Sequence, residues 1–230
     1  MQRVDHALLQ TTMEGLASAS RRNRNSMAAP KKTAARGRPP TITRERIADA
    51  GIAMTLPGLS FVGVAAALGV SHIALYKHVA NLAALRELVA EVIFERWQAP
   101  ALDAAGQRSI EEDLRSFQRS LRTLVDGNPG LAPFLVSHGA KTPEMLARIQ
   151  RHHAEFSRVH GLPLEQAAWL LSTVAYHAVA LADTVYSRHA VVDTTRRPLD
   201  RKAQEAEFDR SMEALIIGAL AMCGRTAGAR

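Results

Sequence analysis

The stretch whose reading decides the fold is "LSFVGVAAALGVSHIALYKHV", Leu59 to Val79. Gly69 stands between two short, mostly apolar runs and is followed by Val70 and Ser71. A sharp turn there needs a positive φ, which glycine adopts without a Cβ clash. Ala65 supplies the small residue where a second helix must cross the first closely, and Val70 plugs the angle between them. Ser71 is a good N-cap for the second helix, in which Leu75 and Val79 stack at i, i+4. Small, glycine, apolar and apolar at these offsets reads as a helix-turn-helix, although an ordinary helical hairpin would satisfy the same pattern.

The outward face of that second helix is unusual. With Leu75 and Val79 inward, a 3.6-residue wheel turns Ile73 and Lys77 outward, with Ala74 and Tyr76 flanking. In a DNA major groove, Ile73 and Ala74 can meet thymine methyls and His72 can reach a base edge. Tyr76, Lys77 and His78 would hold phosphates, which sets register without reading sequence.

Charge lies just upstream. The 230-residue chain carries a formal net charge of +7. Nine Arg or Lys against the single acid Glu45 fall between Arg21 and Arg46, so the rest of the chain is close to neutral. Such an arm seeks polyanions, either nucleic acid or an anionic membrane, unless it is a solubilising tail. "RGRPP" (36–40) is a proline-stiffened element whose Arg36 and Arg38 suit a narrow A·T-rich minor groove. Residues 1–40 lack sustained periodicity and read as a disordered basic arm. Met27 is a candidate translation start.

Around the stretch, polar caps mark helix starts. Thr43 precedes "RERIADAGIAM", in which Ile47, Ala50, Gly51 and Met54 share one face; "LPG" (56–58) then breaks the chain and Ser60 caps the next helix. Asn81 caps "LAALRELVAEVIFERW", and Pro100 with "DAAGQ" marks a boundary. The remainder reads as helical: an amphipathic 109–125, a short piece at "LAPFLVSHG", and a helix capped by Thr142 with Pro143 at its first position and Gly161 past its end. Two long, strongly apolar helices follow at 163–189 and 205–222. The predicted class is all-α, with the arm at 1–40, a helix-turn-helix domain at 41–97 and a helical domain at 98–230. Lone Cys223 excludes an internal disulfide and suits a reducing cytoplasm, and no apolar run reaches the length of a membrane span.

Residues 42–92 resemble the DNA-binding domain of the TetR family of transcriptional regulators. The resemblance is carried by "RIADAGIAM" and "LSFVGVAAALGVSHIALYKHVANLAALRELV", and most specifically by "LGVS" and "ALYKHV" with the following Asn81. It implies a DNA-contact set of Thr43, Ser60, Ser71, His72, Ile73, Ala74, Tyr76, Lys77 and His78, joined by Arg36 and Arg38 of the arm. Two positions depart from the pattern: Val62 stands where an arginine is found in a member of the family, and Leu82 where a lysine is usual. Both remove positive charge and place more weight on residues 31–46.

The resemblance also implies a homodimer built by the two C-terminal helices, so that paired reading helices lie one DNA turn apart on a palindromic operator. It further implies an effector pocket between helices, for which Phe117, Leu121, Phe134, His138, Met145, Trp169, Thr173, Tyr176, His177 and Asp183 are candidate lining residues; plain core packing is the competing explanation for each. His152 and His153 are expected to point to different sides of their helix, and no ligand spacing predicts a metal or another cofactor. Residues for a magnesium chelate of tetracycline cannot be matched by position, so that ligand is not inferred. No phosphate loop, nucleophile elbow or paired-carboxylate motif supports an enzyme. The reading is therefore a cytoplasmic, ligand-responsive, homodimeric repressor; the alternative is an interaction or sensing module whose helix-turn-helix no longer reads DNA.

Overall fold

Each helix of the N-terminal third begins on a side chain that closes an open backbone N–H. In the computed structural model, which describes residues 42–103, 108–185 and 201–227, Thr43 accepts from Arg46 N at 3.2 Å and opens α1 (Arg44–Met54). Ser60 accepts from Gly63 N at 3.1 Å to open α2 (Phe61–Leu68). Ser71 accepts from Ala74 N at 3.2 Å for α3 (His72–Tyr76), and Asn81 from Ala84 N at 2.9 Å for α4 (Leu82–Arg96). Such caps satisfy donors that the first helical turn cannot pair internally.

Gly69 has φ 70° and ψ 30°, the left-handed conformation the turn requires. Its N–H and that of Val70 return to Ala66 O and Ala65 O, closing the end of α2. The helix after the turn is shorter than the stacking of Leu75 and Val79 predicts. It ends at Tyr76, with Lys77 and His78 in a turn, but Val79 N still bonds Leu75 O at 3.1 Å, so both side chains are buried. Ile47, Val64, Ala65, Leu68, Leu75, Leu85 and Val89 form the core of this part. Gly51 lets α1 approach α4 closely: a Cβ there would lie 2.4 Å from Val89 Cγ2.

The second part is a helical bundle arranged around one long helix. A capping box of Ser109 and Glu112 starts α5 (Ile110–Gly127), and a short α6 (Ala132–Val136) and a 3-10 turn (His138–Ala140) follow. Thr142 caps α7 (Pro143–His160), which ends on Gly161 at φ 64°. The central α8 (Leu164–Asp183) packs against α5, α6, α7 and α9 (Arg201–Ala227). Along α8, Ala167, Leu170, Leu171, Val174, Ala178 and Ala182 are buried, and α9 adds Phe208, Met212 and Ile216. Arg115 on α5 makes a two-pronged bond to Glu213 on α9, at 2.7 and 2.6 Å. The described residues hold nine α-helices and no strand. One hydrophobic cluster runs from Ile47 to Ile216. No helix among the described residues is long and apolar enough to cross a membrane.

Candidate nucleic-acid interface and bundle cavity

The turn at Gly69 delivers α3 to the surface. His72, Ile73, Tyr76, Lys77 and His78 are all exposed, Ala74 is half-buried, and Leu75 alone of this helix is fully buried. Ile73 is 65% exposed, so no intramolecular packing explains it. Tyr76 lies flat against Phe61 of α2, with ring centroids 4.3 Å apart and planes 12° apart. That stack fixes one face of the ring, and the residue as a whole remains exposed. Thr43, Ser60 and Ser71 sit at the N-termini of α1, α2 and α3 with their oxygens engaged as caps; the Thr43 hydroxyl also bonds the Glu45 carboxylate, whereas the O–H of Ser60 and of Ser71 is able to donate. Val62 is 72% exposed and Leu82 36%, two apolar positions on elements adjoining α3. Arg36 and Arg38 lie outside the described residues.

A cavity of about 510 Å³ lies in the bundle, walled by α4, the segment after it, α5, α6, α7 and α8. Of the residues expected there, Phe117, Leu121, Met145 and Tyr176 line it. Phe134, Trp169, Thr173, His177 and Asp183 do not. Phe134 packs half-buried against the core; Trp169 and His177 face outward; Thr173 and Asp183 are half-buried elsewhere on α8, and the Thr173 carbonyl pairs with His177 Nδ1 at 2.8 Å. The side chain of His138 is outside the described residues. The cavity face of α8 is instead Leu171, Ser172, Ala175, Tyr176 and Val179.

Sequence reasoning missed Phe94, Trp97, Arg148 and the connecting residues 98–101, all of which line the cavity. The proline at 100 was the available signal: a helix break beside a bundle exposes backbone and side chains to whatever space lies behind it. His152 and His153, expected on different sides of α7, both line the same cavity, because neighbouring positions differ by only about 100° of a helical turn. The His152 ring leans on Phe117 at 5.2 Å, and its Nε2 is buried without a hydrogen-bond partner among the described residues. Burial holds both imidazoles below their ordinary pKa, which favours the neutral ring. Lys141 is half-buried; its Nζ donates to Ser137 O at 3.1 Å and lies 5.5 Å from the Tyr176 ring centroid, and burial lowers its pKa as well.

Polar contacts join the cavity helix α7 to the N-terminal part. The Arg148 guanidinium donates to the carbonyls of Glu95 and Trp97 at the end of α4. Thr142 Oγ1 donates to Glu91, whose other oxygen receives Arg44 Nη2 at 2.6 Å, while Arg44 Nη1 bonds Glu95 at 3.0 Å. Arg44 is the first residue of α1, so four side chains connect a cavity wall to the helix that precedes the turn motif.

No family model matches the sequence, and no curated protein matches it. Solved structures do. A variant of TetR from Acinetobacter baumannii AYE in complex with minocycline is similar over 80% of this chain and 99% of its own, with a TM-score of 0.62 at 19% identity. Apo ActR from Streptomyces coelicolor gives 0.61 at 22% identity, again over 80% and 99% of the two chains. ActR in complex with actinorhodin, described as a TetR family protein, gives 0.58 at 23% identity over the same shares. With its glycine-turned α2–α3 pair and its bundle assembled on α8, this chain has the fold of the TetR-family transcriptional regulators.

Proposed function

We propose that this protein is a DNA-binding transcriptional regulator of the TetR family, acting as a homodimeric repressor released from a palindromic operator by a small molecule. The observation that carries the reading is the exposed face of α3: His72, Ile73, Tyr76 and Lys77 stand clear of the fold on a helix whose inner face is fully committed to the core. Ile73 and Ala74 fit thymine methyls, His72 a base edge, and Tyr76, Lys77, His78 and the capping hydroxyls the phosphates. Arg36 and Arg38 belong to the same footprint, reaching an adjacent minor groove.

Dimerisation is supported by what α8 and α9 leave uncovered. Trp169, Ile217 and Met222 are exposed, and Ala214, Gly218 and Ala221 beside the last two are small enough for a second helix pair to approach closely. A dimer that reads a palindrome needs its two α3 helices about 34 Å apart, one turn of DNA. The cavity, reached by both α4 and α7, is the effector site. An effector that prefers the arrangement in which the two reading heads are wrongly spaced would empty the operator.

A second reading follows from the apolar character of the same face. Val62, Ile73 and Leu82 are each exposed, and apolar surface of this kind also suits a protein partner. Selection of bound fragments from a genomic pool separates the two. Recovery of a short inverted repeat, bound with affinity that falls steeply as salt rises, supports the regulator. Failure to enrich any sequence rejects it in favour of the partner-binding reading.

A further inference from the structure

The effector site has a chemistry of its own, and its assignment rests on the regulator reading only for its biological use. Four aromatic rings face the cavity: Phe94, Trp97, Phe117 and Tyr176. Its volume of about 510 Å³ falls in the range that encloses a drug-sized ligand, roughly 300–1,000 Å³. Within these apolar walls one polar atom has no hydrogen-bond partner and one charge has no counter-charge among the described residues. His152 Nε2 is buried and has no partner among the described residues, an arrangement that costs free energy until something bonds it. Lys141 is a half-buried ammonium whose one hydrogen bond is to a backbone carbonyl, with no carboxylate in ion-pairing distance among the described residues.

The remaining charges sharpen the choice. Arg148 and Arg151 join Lys141 on the lining, against the single acid Glu155, which is exposed. A cationic ligand would therefore meet an excess of positive charge despite the aromatic walls. A plain fatty chain would fill the apolar space but strand the imidazole nitrogen and the ammonium. Lys141 precedes the cap of α7 and His152 lies well along it, with about 15 Å of helix axis between Thr142 and His152 at ~1.5 Å per residue.

We propose that the cavity binds a flat, elongated aromatic acid. Its ring system lies among Phe94, Trp97, Phe117 and Tyr176. Its carboxylate or ionised phenol pairs with Lys141, and a hydroxyl or carbonyl oxygen at its far end bonds His152 Nε2.

Calorimetry on the full chain tests this with 6-hydroxyanthraquinone-2-carboxylate and three comparators: its carboxamide, the carboxylate without the hydroxyl, and a 2-aminomethyl analogue carrying a positive charge. The acid should bind at least tenfold more tightly than the carboxamide, and the cation should bind weakest. Lys141→Met and Lys141→Gln should each abolish the acid-over-amide preference, and His152→Phe should abolish the contribution of the hydroxyl while keeping that preference. Melting temperatures of the variants show that each remains folded, and the two Lys141 variants check one another. Equal binding of acid and amide, stronger binding of the cation, an unchanged preference in both Lys141 variants, or no binding of the acid tighter than ~1 mM would each overturn the assignment. These outcomes are read without DNA, so a failure to enrich an operator refutes the regulator reading alone, whereas loss of the acid preference refutes the ligand class alone.

Discussion

Ile73 and Tyr76 share one exposed turn but have different physical duties. Ile73 touches nothing that its removal would unpack, so Ile73→Ala should leave the melting temperature unchanged and shift base preference at one operator position. Competitive binding to operator variants checks this. Tyr76 leans on Phe61, and its loss removes that stack together with the donor proposed for a phosphate. Tyr76→Ala should weaken binding to all duplexes alike, by about 1–2 kcal/mol. A separate expectation concerns His152 and His153, whose ordinary pKa of 6.5 is lowered by burial. The unfolded chain takes up their protons first as pH falls. The stability they confer is thus complete above about pH 6.5 and declines below it, levelling once the folded rings are protonated too. Melting temperatures from about pH 8 to about pH 5 should fall less in His152→Phe than in the parent chain.

At the scale of elements, α4 is the member that both parts hold. Glu91 on its inner side receives Arg44 from α1 and Thr142 from α7, and Arg148 clamps the carbonyls at its end. Thr142 also caps α7 through Met145 N. Thr142→Val removes the cap and a hydrogen bond to a carboxylate together and should cost about 2–4 kcal/mol by denaturant unfolding. It should also reduce the change in DNA affinity that a cavity ligand produces. The caps Thr43, Ser60, Ser71, Asn81 and Thr142, and the glycine turn at 69, were legible in the sequence because each depends on side chains within a few residues. The cavity face of α8 was not. A helix apolar on nearly all sides carries no periodic mark of which stripe meets a void and which meets solvent, so Trp169, Thr173 and His177 were expected where Leu171, Ser172 and Val179 stand. Four side chains on three helices hold α4 in place, and no local spacing reveals such a set.

For the molecule as a whole, the proposed function assigns attraction to DNA and reading of DNA to separate segments. The net charge of +7 is concentrated between Arg21 and Arg46, whereas α3 holds no permanent cation and the turn after it only Lys77. Removing residues 1–38 should lower operator affinity and flatten its salt dependence by about one unit of logarithmic slope per lost phosphate contact. Binding isotherms at several salt concentrations measure both, and an unchanged slope would show the arm to be idle. The fold class and the turn motif followed from local signals, while the cavity depended on how six segments meet. One of those segments is the connector 98–101, which also ends the part that carries α3. A chimera that joins a foreign N-terminal part at Trp97 would therefore arrive with its cavity breached on one side. Exchange of heads between proteins of this design should succeed only when the splice carries the proline-containing connector along with the bundle.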